Sequence, residues 1–272
     1  MSLNGKTLFI TGASRGIGRE IALKAATDGA NIVVAAKSAE AHPKLLGTIF
    51  SVAEEIVAAG GKALPLQLDV RDEEAVKAAM AQAAEHFGSI DALINNAGAI
   101  RLKGVEHLEP KRYDLMFQIN TRAVMVCSQA ALPYLKKTQG HILSLSPPLN
   151  LDPKWFASYG PYTTTKYGMS MLTLGMHEEF RKYGISVNAL WPKTVIATAA
   201  IEFEAGGPAV MKAARLPAIM ADAAHAILSS SGRCISGRLL IDEEILHEQG
   251  QTDFEQYRYD PAGQLMTDLF VE

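Results

Sequence analysis

The run Thr7-Leu8-Phe9-Ile10-Thr11-Gly12-Ala13-Ser14-Arg15-Gly16-Ile17-Gly18 decides the fold. A short apolar stretch ends in a glycine-rich turn, and an Ala-rich helical pattern follows at once over roughly 16–28. A strand that enters a helix through such a turn lets backbone N–H groups approach a pyrophosphate, and the positive helix end favours the anion. Gly12, Gly16 and Gly18, with Ser14, Arg15 and Ile17 between them, are therefore candidate cofactor-binding positions.

Outward from that turn the pattern repeats. Asn31–Ala36, Ala63–Leu68, Ala92–Ile94, His141–Leu145, Ile185–Leu190 and Arg238–Ile241 are further short apolar runs. They lack polar alternation, which suits strands buried on both faces of a parallel sheet. Helical stretches at roughly 46–59, 72–87, 110–136 and 160–182 separate them. The alternation predicts an α/β fold: a doubly wound (Rossmann), mostly parallel sheet of about seven strands with helices on both faces. One dinucleotide-binding and catalytic domain over 1–272 is expected. The Ala-, Gly- and Pro-rich segment at about 192–216 is read as a mobile substrate flap. Connections at the C-terminal edge of such a sheet face the ligand crevice.

Composition narrows the function classes. Hydrophobic residues at 48% and charged residues at 20% suit a soluble globular protein. A net charge of −3 supplies no basic surface for a polyanion, so nucleic acid is not an expected partner. No apolar run reaches membrane-spanning length, so no membrane partner is expected. Met1–Lys6 leads straight into an apolar strand without a signal-peptide pattern, and Leu269-Phe270-Val271-Glu272 is not a peroxisomal address. A cytoplasmic location is the expectation. Cys127 and Cys234 have no metal-ligand spacing and read as small core residues in a reducing compartment. No metal is expected.

The residues after the second strand bear on the choice of dinucleotide. An acid about 20 residues past the glycines would hydrogen-bond a ribose 2′-OH. This chain has Ala36-Lys37-Ser38 there, and Arg15 adds a cation inside the turn. Lys37 and Arg15 attract a 2′-phosphate that an acid would repel, which points to NADP(H). Leu68-Asp69-Val70 ends the third strand, where Asp69 is placed to accept from an adenine amino group. Asn95-Asn96-Ala97-Gly98 ends the fourth, where a small-residue turn allows close approach of the adenosine.

Tyr162-Thr163-Thr164-Thr165-Lys166 supplies the chemistry. Spacing i to i+4 on a helix puts the phenol and the ammonium on one face. A free tyrosine titrates near pH 10, and a nearby ammonium lowers that value. Tyr162 is then a proton donor to a carbonyl oxygen as hydride reaches its carbon, with alcohol oxidation as the reverse. Lys166 is also placed to hold the nicotinamide ribose.

These motifs together resemble the short-chain dehydrogenase/reductase superfamily, in the branch with Thr-Gly-x-x-x-Gly-x-Gly, Asn-Asn-Ala-Gly and Tyr-x-x-x-Lys; the likeness spans roughly 5–245. Four longer runs are similar to the hydroxysteroid dehydrogenase-like group: 42–48, 146–151, 166–171 and 188–194. That group also carries a C-terminal sterol-carrier domain, which is not among these 272 residues. The resemblance implies that Asn120 organises a proton relay to the lysine, and that Pro192 and Thr194, or Thr198, meet the nicotinamide. It also implies a homodimer or homotetramer built on the helices around 110–136 and 160–182. A small, apolar carbonyl or alcohol substrate is the expected partner.

The chain departs from relatives in two places. Aligned on Gly140, the usual catalytic serine falls at Pro147, with Ser146 one residue earlier. Side chains alternate along a strand, so Ser146 serves as the catalytic hydroxyl only if Pro147 and Pro148 bend the backbone. Pro192-Lys193 stands where relatives have Pro-Gly. The missing serine motivates a rival reading, an NADP-binding module with weak or no catalysis. A nucleotide-sugar epimerase is disfavoured, because those relatives space their glycines differently.

Overall fold

The computed structural model describes residues 2–43, 45–230 and 235–272; Cys234 lies outside them. In chain order the first half holds β1 (Thr7–Thr11), α1 (Gly16–Thr27), β2 (Asn31–Ala36), α2 (Ile49–Ala58), β3 (Lys62–Gln67), α3 (Glu73–Phe87) and β4 (Ala92–Asn95). Next come α4 (Pro110–Phe117), α5 (Ala123–Thr138), β5 (His141–Ser144), α6 (Lys154–Ala157), α7 (Gly160–Phe180) and β6 (Ser186–Trp191). The remainder is α8 (Ala199–Glu204), α9 (Gly207–Lys212), α10 (Ala218–Leu228), β7 (Leu239–Ile241) and α11 (Asp242–Glu248).

All seven strands lie parallel in the order β3-β2-β1-β4-β5-β6-β7. This is the doubly wound sheet that the alternation predicts. The order reverses between β1 and β4, which opens a crevice at their C-terminal ends. Burial on both faces explains the unbroken apolar runs: Leu8, Phe9 and Ile10 of β1 are wholly buried. Ile21, Ile32, Ile56 and Met220 pack one face under α1, α2 and α10. Phe9, Met80, Leu93 and Phe180 pack the other under α3, α5 and α7. A third cluster, mostly aromatic, gathers Tyr162, Tyr167, Trp191 and Phe270.

Local signals set the helix ends. Asp72 caps α3 by accepting from the Ala75 N–H at 3.0 Å, and Gly88 ends it with φ +83°. Thr48 and Ser51 cap α2 reciprocally. The long helix expected over 110–136 is interrupted: a π-helical turn at Gln118–Arg122 separates α4 from α5. Such a turn realigns side chains about the helix axis and tends to mark functional positions. Cys127 is a buried core thiol, and burial pushes its pKa up to about 12.

The segment at 192–216 folds as α8 and α9 between two anchored ends. Ile196 bridges Arg215, whose buried guanidinium lies 2.5 Å from Glu243. A later segment runs antiparallel beside the start of this loop. Thr194 pairs with Thr267, Val195 N–H donates to the Met266 carbonyl at 3.0 Å, and Asp268 N–H donates to the Lys193 carbonyl at 3.0 Å.

Candidate active site

The glycine turn and the loop after β4 interlock. Gly12 and Gly16 take left-handed φ values of +67° and +56°. A Cβ on Gly12 would stand 2.9 Å from the Ala97 Cα, and one on Gly18 would stand 2.4 Å from Asn96 Nδ2. Asn96 Nδ2 donates to the carbonyls of Thr11 and Gly12 at 2.9 and 3.0 Å. Thr11 Oγ1 accepts from the N–H groups of Asn96 and Ala97, both at 3.1 Å. Gly18 thus serves close packing of α1 on the β4 loop, and it does not line the crevice.

A cavity of about 550 Å³ fills the crevice. From the first turn, Gly12, Ser14, Arg15, Gly16 and Ile17 line it. From the ends of β2, β3 and β4 come Lys37, Asp69, Val70, Asn96, Ala97 and Gly98. Asn120, Tyr162, Lys166 and Pro192 line the rest, so residues far apart in sequence share one space. The backbone cradle at Gly12 and Gly16, where side chains are excluded, fits a pyrophosphate.

Two cations sit at the β2 end. Arg15 Nη2 donates to Ser38 Oγ and to the Gly47 carbonyl, each at 3.0 Å, while its buried Nε has no partner among the described residues. Lys37 is exposed, with Nζ 3.3 Å from Asp69 Oδ2. Asp69 also receives Arg71 Nε and Nη2, the latter at 2.5 Å, and this pairing holds its carboxyl far below the usual range. Both Asp69 oxygens are therefore taken by cations. Asp69 lines the cavity as expected, and Arg71 and Lys37 fix the orientation of its carboxylate there. Arg71, two residues on, was not singled out in the sequence.

Tyr162 and Lys166 lie on α7, one turn apart and buried. Lys166 Nζ donates to the Leu145 carbonyl at 2.6 Å and lies 4.9 Å from the Trp191 ring centre. Burial lowers its pKa to about 7. The Tyr162 phenol is raised above its ordinary value, first by burial and then by the Asp268 charge. The expected lowering of the phenol by Lys166 is therefore not the balance in this fold. Burial disfavours both charged forms, and the ammonium is turned to a carbonyl.

Asn120 sits in the π-helical turn and is wholly buried. Its Nδ2 donates to the Ala99 carbonyl at 3.0 Å and to Thr165 Oγ1 at 2.9 Å; its Oδ1 accepts from Ala99 N–H at 2.8 Å. It clamps the β4 loop to the helix that carries the tyrosine and makes no direct bond to Lys166.

Ser146 is corrected as a hydroxyl candidate. Leu145 lines the cavity, whereas Ser146 does not; its Oγ is buried without a partner among the described residues. Alternation prevails, and Pro147 contributes only a carbonyl, which accepts from Ser170 Oγ at 2.6 Å. Thr194 likewise stays off the cavity, in its bridge to Thr267, while Thr198 lines it beside Gly16. Lys193 turns away, its ammonium donating to the Glu272 carbonyl.

The segment 266–271 is the part sequence reading missed. Met266, Thr267, Asp268 and Leu269 line the cavity. Phe270 is 1% exposed and stacks on Tyr162 at 6.4 Å and 27°, with Trp155, Tyr167 and Trp191 around it. Trp191 Nε1 donates to the Leu269 carbonyl at 2.9 Å. Burial and the charge of Asp242 push the Asp268 carboxyl up, to about 7. The only signal was the aromatic-apolar run Leu269-Phe270-Val271 beside an acid, with no period to place it.

Comparison with known proteins agrees with this geometry. Hydroxysteroid dehydrogenase-like protein 2 of Xenopus laevis is 56% identical over 271 residues. That alignment takes in 99% of this chain and 64% of the relative, so the chain spans less than two thirds of that relative's length. A putative dehydrogenase from Xanthomonas campestris, solved as a crystal structure, is 52% identical with a TM-score of 0.96, covering 100% of both chains. A short chain dehydrogenase from Mycobacterium thermoresistibile is 47% identical with a TM-score of 0.93, covering 100% of this chain and 96% of the other. The family description "short chain dehydrogenase" matches residues 6–205, and the chain belongs to that family.

Proposed function

We propose that this chain is an NADP(H)-dependent oxidoreductase that interconverts a carbonyl and an alcohol, with Tyr162 as proton donor and acceptor. The observation that carries this reading is the meeting of Tyr162, Lys166 and the Gly12–Gly16 cradle around one cavity. A bound nicotinamide dinucleotide supplies or accepts the hydride. The chain's own residues do the rest. Tyr162 moves a proton to or from the substrate oxygen, and Lys166 holds the ribose side and feeds protons. Asn120 keeps the tyrosine helix fixed against the β4 loop.

Arg15 and Lys37 support NADP(H) over NAD(H), since no acid stands at the end of β2 to reject a 2′-phosphate. Arg15 Nε, without a partner among the described residues, is an unused donor for it. Ile100, Leu102, Ile201, Val210 and Met266 give the cavity an apolar end, which suits a small apolar substrate. The stretch at 192–216 supplies part of that wall and serves as the substrate flap. Exposed Phe117, Met125, Met171 and Leu174 on α4, α5 and α7 suit a homodimer or homotetramer. Among the described residues no helix is long and apolar enough to cross a membrane, and a cytoplasmic site of action is part of the proposal.

The binding-module reading draws on Pro147, which leaves no hydroxyl at the usual serine position. A panel of apolar ketones, aldehydes and alcohols separates the two. Turnover with NADPH and much weaker turnover with NADH supports the enzyme. Tight NADPH binding with no turnover across the panel supports the module, and equal affinity for the two cofactors refutes the NADP assignment.

A further inference from the structure

Pro147 has no hydroxyl, and Ser146 is buried away from the cavity. The usual serine position therefore offers no hydroxyl to a carbonyl oxygen beside Tyr162. Two acids line the space that holds Tyr162 and Lys166; Asp69 is paired with Arg71 and Lys37, which leaves Asp268 as the one without a cation partner among the described residues. Asp268 lines the cavity from the segment that pairs with the loop after β6. Three bonds fix its backbone there: its own N–H to the Lys193 carbonyl at 3.0 Å, Val195 N–H to the Met266 carbonyl at 3.0 Å, and Trp191 Nε1 to the Leu269 carbonyl at 2.9 Å. The next side chain, Phe270, is packed against the Tyr162 ring.

The side chain is oriented as well. Asp268 Oδ1 accepts from the Leu269 N–H at 2.6 Å. Its Oδ2 has no hydrogen-bond partner among the described residues. Asp268 makes no ion pair within reach of Lys166, whose ammonium is turned to the Leu145 carbonyl. The titratable and charged groups that act on it are Lys166 and Tyr162 from α7, Tyr159 just before that helix, and Asp242 from the start of α11. A half-buried acid near a second acid, with its ammonium neighbour engaged elsewhere, keeps its proton more readily than a surface carboxyl. A protonated carboxyl is a donor, and one placed beside an acid/base residue acts on a developing oxyanion.

We propose that Asp268, protonated, is a catalytic residue: its Oδ2–H donates a hydrogen bond to the substrate carbonyl oxygen, in the part left open by Pro147. The inference rests on the oxidoreductase reading above. As hydride from a reduced nicotinamide dinucleotide adds to the carbonyl carbon, the C=O π pair moves to oxygen. The Tyr162 O–H bond breaks and its proton passes to that oxygen; solvent later reprotonates the phenolate. Asp268 keeps its proton throughout and polarises the carbonyl without being consumed.

The test compares wild type, Asp268→Ala, Asp268→Asn and Tyr162→Phe with NADPH and the best substrate of a carbonyl panel that includes phenanthrenequinone. NADPH affinity and thermal midpoint are measured alongside. Asp268→Ala removes the donor, and kcat is expected to fall about 100-fold at near-unchanged NADPH affinity. In Asp268→Asn the Leu269 N–H still fixes the oxygen, so the amide nitrogen takes the Oδ2 place and donates. Its kcat is expected to stay within about tenfold of wild type. Asp268→Ala at wild-type kcat overturns the inference and leaves the oxidoreductase reading intact. So does an Asn variant as impaired as the Ala variant while both stay folded and bind NADPH. Wild-type protein with no turnover on the whole panel overturns the oxidoreductase reading, and the inference falls with it.

Discussion

The two ends of the crevice are built differently. At the β1–β4 end, backbone does the work: left-handed Gly12 and Gly16, strand termini and the Asn96 side chain form the cradle, and a Cβ on Gly12 or Gly18 would clash with the β4 loop. At the β5–β6 end, side chains do it. Tyr162, Trp191 and Phe270 pack on one another, Lys166 lies over the Trp191 ring, and burial is the largest influence on the charge of Lys166 and Asp268. A backbone site tolerates little change in residue size but little depends on charge. A side-chain site depends on how each group is desolvated and oriented.

The sharpest way to break that contrast is at Phe270, which is 1% exposed and ringed by four aromatic side chains. Phe270→Ala is expected to cost about 3–5 kcal/mol by chemical denaturation and to loosen Tyr162. A cost below about 1 kcal/mol would mean that the segment is peripheral. Gly18→Val probes the backbone end. Its Cβ would stand 2.4 Å from Asn96 Nδ2, so a loss of about 1–3 kcal/mol together with lost NADPH binding is expected. Unchanged stability would contradict the close-packing role.

Smaller effects separate the two cations. Arg15→Ala is expected to weaken NADPH by about 2 kcal/mol and leave NADH nearly unchanged, as read by titration. Lys37 is 63% exposed and already faces Asp69, so Lys37→Ala is expected to cost less than about 1 kcal/mol. Equal losses for both cofactors would remove the 2′-phosphate from the explanation.

Lys166 sharpens the comparison through pH. Its pKa is lowered from 10.5 to about 7 by burial, so the folded state resists the charged form. The stability contribution of this depressed base is present above pH 10.5 and is lost as pH falls through about 7. Lys166→Met is therefore expected to stabilise the fold at pH 7, on the order of 1–2 kcal/mol, with the gain shrinking toward pH 10. Thermal unfolding across that range checks it; a loss of stability at pH 7 would contradict the direction.

This difference in construction also decided what sequence could show. Gly12, Gly16 and Gly18 are legible because a strand, a turn and a helix are neighbours along the chain, and the period of each is visible. Tyr162 and Lys166 are legible because one helical turn joins them. Asn120 was reached through family resemblance, and the π-helical turn that aims it has no residue signature. Asp268 and Phe270 were unreadable for a plainer reason. They reach the site by pairing with residues far away in sequence, on a segment with no helical or strand period. Ser146 turned on the bend of one backbone stretch, which alternation settled against it. The pairing of Asp69 was not legible, because Arg71, two residues on, folds back onto the same carboxylate.

The most direct measurement is the rate of carbonyl reduction by NADPH in Tyr162→Phe against wild type, with NADPH affinity measured in both. The substitution removes the hydroxyl that carries the transferred proton, so kcat is expected to fall by about 10²–10⁴ while NADPH affinity stays within a few-fold. Turnover in Tyr162→Phe equal to wild type, with NADPH bound normally, would contradict the assignment of the chemistry to Tyr162.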